Sequence, residues 1–415
     1  MSGALEGLKV VDLSRVLAGP MCSMMLADHG ADVIKVEPPA GDETRTWGPP
    51  FVGREAGPPG YPGESAYYIF CNRNKRGMAL DLSVPKGREV VLRLMADADV
   101  VIENFKQGTM ERWGLDYETV LRKLNPRLIY ANISGFGRDG PYAHLPGYDV
   151  LGQAMCGMMS ITGPADGGPT RVGIAVADLS TGMFAMHGIL LALAARSRTG
   201  EGQRVDCSLL ESVVSLLTHL ASNYLVGGVK PRRYGNTHPS IVPYQLFRAK
   251  DAEMYLAVGN DRQFQRLCQC LGLAEMALDA RYRTNADRVV NRATLIPALQ
   301  ELLAQRTVAE WQELFWAEGV PMGPIQDLEA VFRDPQVLHR QMVLEVPHPT
   351  AGSVRTTGFP VKLSQTPASV RRHPPLLGEH TREILQEHGY SMGDIDALER
   401  ASVVRSWTGA TEVRA

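Results

Sequence analysis

Asp178 is the residue whose neighbours are best arranged for covalent chemistry. It follows an apolar, strand-like run, Val172 to Ala177. It precedes Thr181, Gly182 and a long apolar helix, Met183 to Ala195, closed by a basic turn and Gly200. An acid at the exit of a buried strand, just ahead of a helix, sits where a rigid frame presents reacting groups. A carboxylate there could attack an activated acyl carbon and hold it covalently. Spacing alone favours the plainer role of helix cap, because Asp is a good N-cap and nucleophilic carboxylates are rare.

A second candidate is Gly135-Phe136-Gly137-Arg138-Asp139-Gly140, which matches the dinucleotide fingerprint letter for letter. That fingerprint needs its last glycine to open a helix whose N-terminus meets a pyrophosphate. Here the loop-like Pro141 to Gly147 follows, so the motif reads as a turn and an oxidoreductase rests on the letters alone. Six cysteines, Cys22, Cys71, Cys156, Cys207, Cys268 and Cys270, form no CxxC pair. A zinc site, any other metal site and a disulfide framework are therefore not expected. Cys268 and Cys270, two apart on a helical stretch, point to different faces as structural thiols.

The elements around these residues alternate. Leu8 to Leu13, Ala31 to Glu37, Met78 to Leu82, Asp99 to Asn104, Leu128 to Ile133 and Gln203 to Cys207 read as buried strands. Helices fall between them: one opened by Gly19-Pro20, one capped by Ser83 and ending near Met95, and one at Tyr117 to Leu124. Leu209 to Tyr224 is a further amphipathic helix, and residues 38–66 are a long Pro/Gly-rich loop. This is the pattern of an α/β fold with a large, mainly parallel, doubly wound (Rossmann-like) domain over 1–225.

The Gly/Pro-rich stretch 226–243 is a linker. A smaller α+β domain over 244–335 follows, with a hairpin turning at Lys250-Asp251 and helices at Arg262 to Leu271, Arg288 to Gln305 and Val308 to Ala317. A second hairpin, Met342 to Val346 with Ser353 to Thr357, belongs to the C-terminal segment 336–415.

At 415 residues and net charge -2, the chain is large enough for two domains and gives no electrostatic reason to expect nucleic acid or an anionic membrane. The strand LKVVDLS starts within the first ten residues, which leaves no room for a presequence, and the apolar run after Asp178 reads as too short to cross a bilayer. A cytoplasmic protein is the expectation.

Six stretches together carry a resemblance: LEGLKVVDLSRVLAGP, GADVIKVEPPAGDETR, NRNKRGMALDL, VVIENFKQGTMERWGL, GPYAHLPGYDVLGQAMCG and VADLSTGMFAMHGILLAL. With VPMGPIQDL and PLLGEHTREIL, they make the chain similar, over nearly its full length, to the class III CoA-transferases. TRTWGPPFVG, NRNK, SIVPYQ and DPQVLHRQMV resemble the members that move CoA between succinate and glutarate. The resemblance implies an interlocked homodimer in which 336–415 returns to the large domain. It also implies coenzyme A or acyl-CoA as substrate with no permanently bound cofactor. For a eukaryotic chain it would admit the mitochondrial matrix.

It further implies that Asp178 is the nucleophile, carrying an aspartyl anhydride and then an aspartyl-CoA thioester. Backbone amides near Gly182 or in a Gly-rich loop would face the developing oxyanions. CoA contacts carry over onto Arg15, Val16, Leu17 and Ala18, onto Asn72, Arg73 and Lys75, and onto Asn104, Phe105 and Arg112. Two positions depart from formyl-CoA transferase, Pro38 in place of an arginine and Ser134 in place of a lysine; Arg45 is the candidate for the missing charge. That enzyme's glycine-rich lid is absent, and Gly235 to Ser240, with His238, is the candidate substrate loop. A dicarboxylate acceptor needs a cation at its far end, and Arg73 and Arg171 are the candidates. Racemases of the same fold carry a histidine where this chain has Tyr148, a poor base at neutral pH, so a 2-methylacyl-CoA racemase is the alternative reading. A non-catalytic CoA-binding protein would have no use for Asp178.

Overall fold

The structure is a computed structural model and describes residues 3–57 and 60–409. The chain divides into two compact units. One comprises residues up to Met158, Val172–Ser222 and the chain from Gln336 onward; the other comprises Met159–Arg171 and Asn223–Pro335.

The first unit is built on six parallel strands: β1 (Lys9–Asp12), β2 (Asp32–Glu37), β3 (Lys75–Leu80), β4 (Val100–Glu103), β5 (Ile129–Ser134) and β6 (Arg204–Ser208). Their order across the sheet is β3-β2-β1-β4-β5-β6, and a short C-terminal strand, Val404–Arg405, adds antiparallel to the outer edge of β3. This is a doubly wound order, with its reversal between β1 and β4. The strands run apolar without alternation because both faces are covered. Val10, Val33, Val100 and Ile102 pack under α1 (Ala18–Asp28) and three helices described below. Their neighbours Val11, Ile34 and Val101 pack on the opposite face, under α2 (Pro85–Met95) and the C-terminal helices Thr381–Glu387 and Met392–Arg400.

The covering helices are α3 (Asp149–Met155), α4 (Val176–Thr199) and α5 (Leu209–Ser215). Here the structure corrects the sequence. Val172 to Ala177 is not a strand: it is an irregular segment that becomes helix at Val176. Ile174 is 60% exposed, so the apolar run lacks the burial that would have made it a sheet strand. The helix is correspondingly longer, at 24 residues, and by length and hydropathy it would suffice to cross a membrane, contrary to the expectation. It is nonetheless a layer of this unit: Ala177, Ala185, Ile189 and Ala192 are buried with the strands, and buried Arg196 pairs with Asp99 at 2.8 Å.

Other boundaries also shift. The helix expected at Leu209 to Tyr224 breaks into α5 and Thr218–Gly227, bent by 78°. Ser83 does not cap α2; Val84 stands at the N-cap and the Ser83 N–H donates to Asp81 at 2.8 Å.

The second unit holds a three-stranded antiparallel sheet, with Glu253–Ala257 between Tyr244–Arg248 and Met322–Pro324. Its core gathers Phe247, Leu256, Phe264, Leu295, Leu299, Trp311 and Phe315. The helix expected at Arg288 to Gln305 is two, Asn285–Val290 and Arg292–Leu303. Asn285–Val290 opens on a capping box of Thr284 and Asp287.

Candidate active site

A cavity of about 290 Å³ opens at the carboxyl ends of β1, β4 and β5, where the strand order reverses. Crevices of this kind are where doubly wound sheets bind ligands. Its walls come from the loop after β1 (Arg15 to Ala18), the loop after β4 (Asn104 to Gly108), the end of β5 with its glycine loop (Asn132 to Arg138), Tyr148 and Asp178.

The loop after β1 is pinned from several sides. The Asp12 carboxylate accepts from the Ser14 N–H at 2.9 Å, and buried Lys35 donates to the Ser14 carbonyl at 3.0 Å. Asn104 reaches across from β4 and makes a reciprocal pair with the Arg15 backbone, accepting from its N–H at 2.8 Å and donating to its carbonyl at 2.7 Å. Asp42 takes the Val16 N–H at 3.2 Å, and Lys35 beside it holds the Asp42 carboxyl down at about 2 against the cost of burial. So constrained, Val16 adopts φ 68, a left-handed conformation that a β-branched residue rarely takes. Strain of this kind is held where the surroundings over-determine it, commonly at functional sites. Immediately after it, α1 begins at Ala18 with no side-chain cap on its first turn.

Glu103, at the end of β4, is buried on the cavity floor. It accepts from the Phe105 N–H at 2.8 Å and the Tyr130 hydroxyl at 2.9 Å, and from the Asn132 amide. Burial raises its pKa. The glycine loop is a turn, as read: Ser134 Oγ accepts from the Gly137 N–H at 2.9 Å. Its first glycine serves packing rather than a pyrophosphate, because a Cβ on Gly135 would lie 2.4 Å from the Gly147 Cα.

Asp178 stands at the third position of α4, in its first turn. It caps nothing: Ala175 is at the N-cap, and no side chain of α4 closes its N-terminus. The carboxylate is mostly enclosed, and burial, followed by the charge of Asp149, lifts its pKa to about 7. The group therefore changes charge near neutrality, in the range that suits a nucleophile which must also be regenerated. Gly182 cannot be the oxyanion donor expected of it. It lies one turn further along α4, where its N–H belongs to the helix ladder. What the missing side chain permits is the close approach of α1, since a Cβ there would sit 2.6 Å from the Ala18 carbonyl oxygen.

Of the residues read from sequence, Arg15, Val16, Leu17, Ala18, Asn104, Phe105 and Asp178 come together on this cavity. Asn72, Arg73, Lys75 and Arg45 are buried and do not line it, and the fold uses their polar atoms. Arg73 makes a bidentate pair with Asp28 (2.9 and 2.7 Å) and donates to the Thr357 carbonyl. Lys75 donates to Asp12, the Pro20 carbonyl and Asn72. Arg45 grips Glu37 and Glu64 and stacks 3.7 Å above the Tyr68 ring. Arg112 is exposed and donates to Thr109, outside the cavity lining. Arg171 and His238 belong to the second unit, where Arg171 is exposed and His238 packs edge-on against Tyr244. Sequence reading missed Lys106 and Arg138, which also line the cavity. The first adjoins the Asn104-Phe105 pair and the second sits inside the glycine motif.

Fold and cavity thus define an α/β protein with an open cavity at the sheet's switch point. The chain belongs to CoA-transferase family III, whose family model matches residues 5–381. It is 45% identical over 402 residues to succinyl-CoA:glutarate CoA-transferase of Mus musculus, covering 96% of this chain and 90% of that one. It is also 45% identical to succinate–glutarate CoA-transferase of Agrobacterium fabrum, with 92% and 95% covered. Among solved structures, a CAIB/BAIF family protein from Brucella suis is similar at TM-score 0.83 and 43% identity, over 94% of this chain and 100% of that chain.

Proposed function

We propose that this enzyme transfers CoA from succinyl-CoA to glutarate or a closely related dicarboxylate, with Asp178 as the covalent relay. The observation that carries this is the enclosed Asp178 carboxylate, poised near neutrality, on the same cavity as the constrained Val16–Ala18 turn. The relatives named for the succinate–glutarate exchange support the choice of substrates.

An Asp178 carboxylate oxygen attacks the succinyl thioester carbonyl. The carbon–sulfur bond breaks, giving a succinyl–aspartyl anhydride and CoA thiolate. The thiolate attacks the Asp178 carbonyl and expels succinate, leaving an aspartyl-CoA thioester. Glutarate then attacks that carbonyl and frees the thiolate, which takes the glutaryl group and restores the carboxylate. Every step conserves an activated acyl bond that hydrolysis would waste, which explains a route through a carboxylate in an enclosed site. The uncapped first turn of α1 offers the Ala18 N–H, on the cavity that Asp178 also lines, for the oxyanions. Arg15, Lys106 and Arg138 are the cavity's cations for CoA phosphates, with Phe105 as an apolar flank.

The exposed apolar side chains of α4, Met183 at 53% and Leu191 at 59%, fit a surface covered by a second copy in the family's interlocked homodimer. The test of function is direct. Incubation with succinyl-CoA and glutarate should yield glutaryl-CoA and succinate by mass spectrometry; no transfer to glutarate or any other dicarboxylate would refute the proposal.

A further inference from the structure

Asp149 and Gln153 lie four residues apart on α3, and so on one face. Together they bind the whole segment that leads to Asp178. Asp149 Oδ1 accepts from the Ala177 N–H at 2.7 Å and faces the Asp178 N–H at 3.4 Å. Its other oxygen accepts from Gln153 Nε2 at 2.7 Å. Gln153 is fully buried; it also donates to the Ile174 carbonyl at 3.3 Å and accepts from the Val172 N–H at 2.9 Å. Gly152 between them lets α3 close on α4, since a Cβ there would meet that of Ala177 at 3.2 Å. Helix α4 is thus capped by a residue from another helix, and the amides at its N-terminus that could have faced a substrate oxygen are occupied.

We propose that Asp149, locked by Gln153, is a positioning residue of the transfer reaction: it fixes the first turn of α4, and with it the direction and charge state of the Asp178 carboxylate. This rests on the reading of Asp178 as the relay. Two negative groups at one helix N-terminus are each favoured by the helix dipole and disfavour each other. The charge of Asp149 adds to burial in raising the Asp178 pKa. From Ala66–Phe70 the facing group is Tyr67, a neutral phenol that burial and then Asp178 push up to about 12. On β6 and α5, burial and then Asp206 and Glu211 raise the Cys207 thiol, and Asp206 is itself raised mainly by burial. On the cavity floor Glu103 is tied to Tyr130 and Asn132.

The experiment traps acyl-Asp178 as its hydroxamate in single turnovers with succinyl-CoA between pH 5 and 8. Three variants are compared with the parent, each checked for folding by thermal melt. Asp149→Asn keeps an acceptor for the α4 amides and removes the charge. The acid limb of its rate profile should move to lower pH, and its plateau should fall less than that of Asp149→Ala. Gln153→Leu removes the lock and keeps the charge. Its limb should stay, with the plateau rate down roughly tenfold or more and KM for succinyl-CoA little changed, as expected of a displaced reacting group. An unmoved limb in Asp149→Asn, or a parental plateau in Gln153→Leu, overturns the inference. If either variant fails to fold, Asp149→Glu decides: a lowered plateau with a near-parental limb supports positioning, and a fully parental profile refutes it. Absence of hydroxamate in the parent would instead overturn the role of Asp178 itself.

Discussion

At the scale of the residue, the proposed relay rests on a carboxylate kept from ionising too easily. The Asp178 pKa is raised from 3.8 to about 7, so the folded protein holds a proton in that window that the unfolded chain has released. Stability from this group is therefore present at low pH and lost as pH rises toward 7. The variant Asp178→Asn should melt higher than the parent at pH 8, with the gap closing as pH falls toward 4; a pH-independent gap would contradict the assignment. Asn104 offers a second check. Both halves of its amide are spent on the Arg15 backbone, so it shapes the cavity loop after β1. Asn104→Ala should raise KM for acyl-CoA several-fold with a smaller effect on kcat, read from initial rates.

Sequence pointed to Asp178 and Asn104 through motif context. It could not separate them from Arg45, Arg73 and Lys75, because a charge is visible in a sequence and its partner is not. Arg73 meets Asp28 and Lys75 meets Asp12, each far away along the chain. These pairs are buried, and their side-chain charges are spent within the fold. Lys75→Met would leave Asp12 buried without its closest cation, at a cost of about 3–5 kcal/mol by denaturant melt.

Among the elements, strands were the most legible part. Valine-rich runs such as Val100 to Ile102 are buried on both sides by helices, and continuous apolarity is their signature. The same signature misled at Val172 to Ala177, where apolar side chains are partly exposed and side chains of α3, not a sheet, hold the backbone. The helix after it was expected to start late because Asp178 reads as its cap; Asp178 lies inside the first turn, and the cap comes from Asp149 on α3. The approach of α1 to α4 at Gly182 couples the cavity turn to the nucleophile helix. Gly182→Ala should destabilise by roughly 1–3 kcal/mol, through overpacking against the Ala18 carbonyl, and should slow transfer as well. Unchanged stability in that variant would mean the two helices can part freely.

The scale of the whole molecule shows why a long chain serves one small cavity. The sheet is assembled from distant segments: Val404 pairs with Leu80, and Ile384, Leu385, Ile395 and Leu398 complete the core on one of its faces. Removing residues 376–415 should therefore abolish cooperative folding of the whole chain, read as loss of a sharp thermal transition; a retained transition would show that the core closes without them. The doubly wound order brings the loops after β1 and β4 together at the reversal, and the chain then returns through α3 and α4 to set Asp178 beside them. Composition announced the sheet, motifs announced the chemistry, and only the fold shows that they meet.

The central claim is that CoA transfer runs through a covalent intermediate on Asp178. Its most direct test is peptide mass spectrometry of the intact enzyme incubated with succinyl-CoA and hydroxylamine. A hydroxamate is expected on Asp178, and none on Asp149 or Glu103; an active enzyme that carries no modification at Asp178 would rule the relay out.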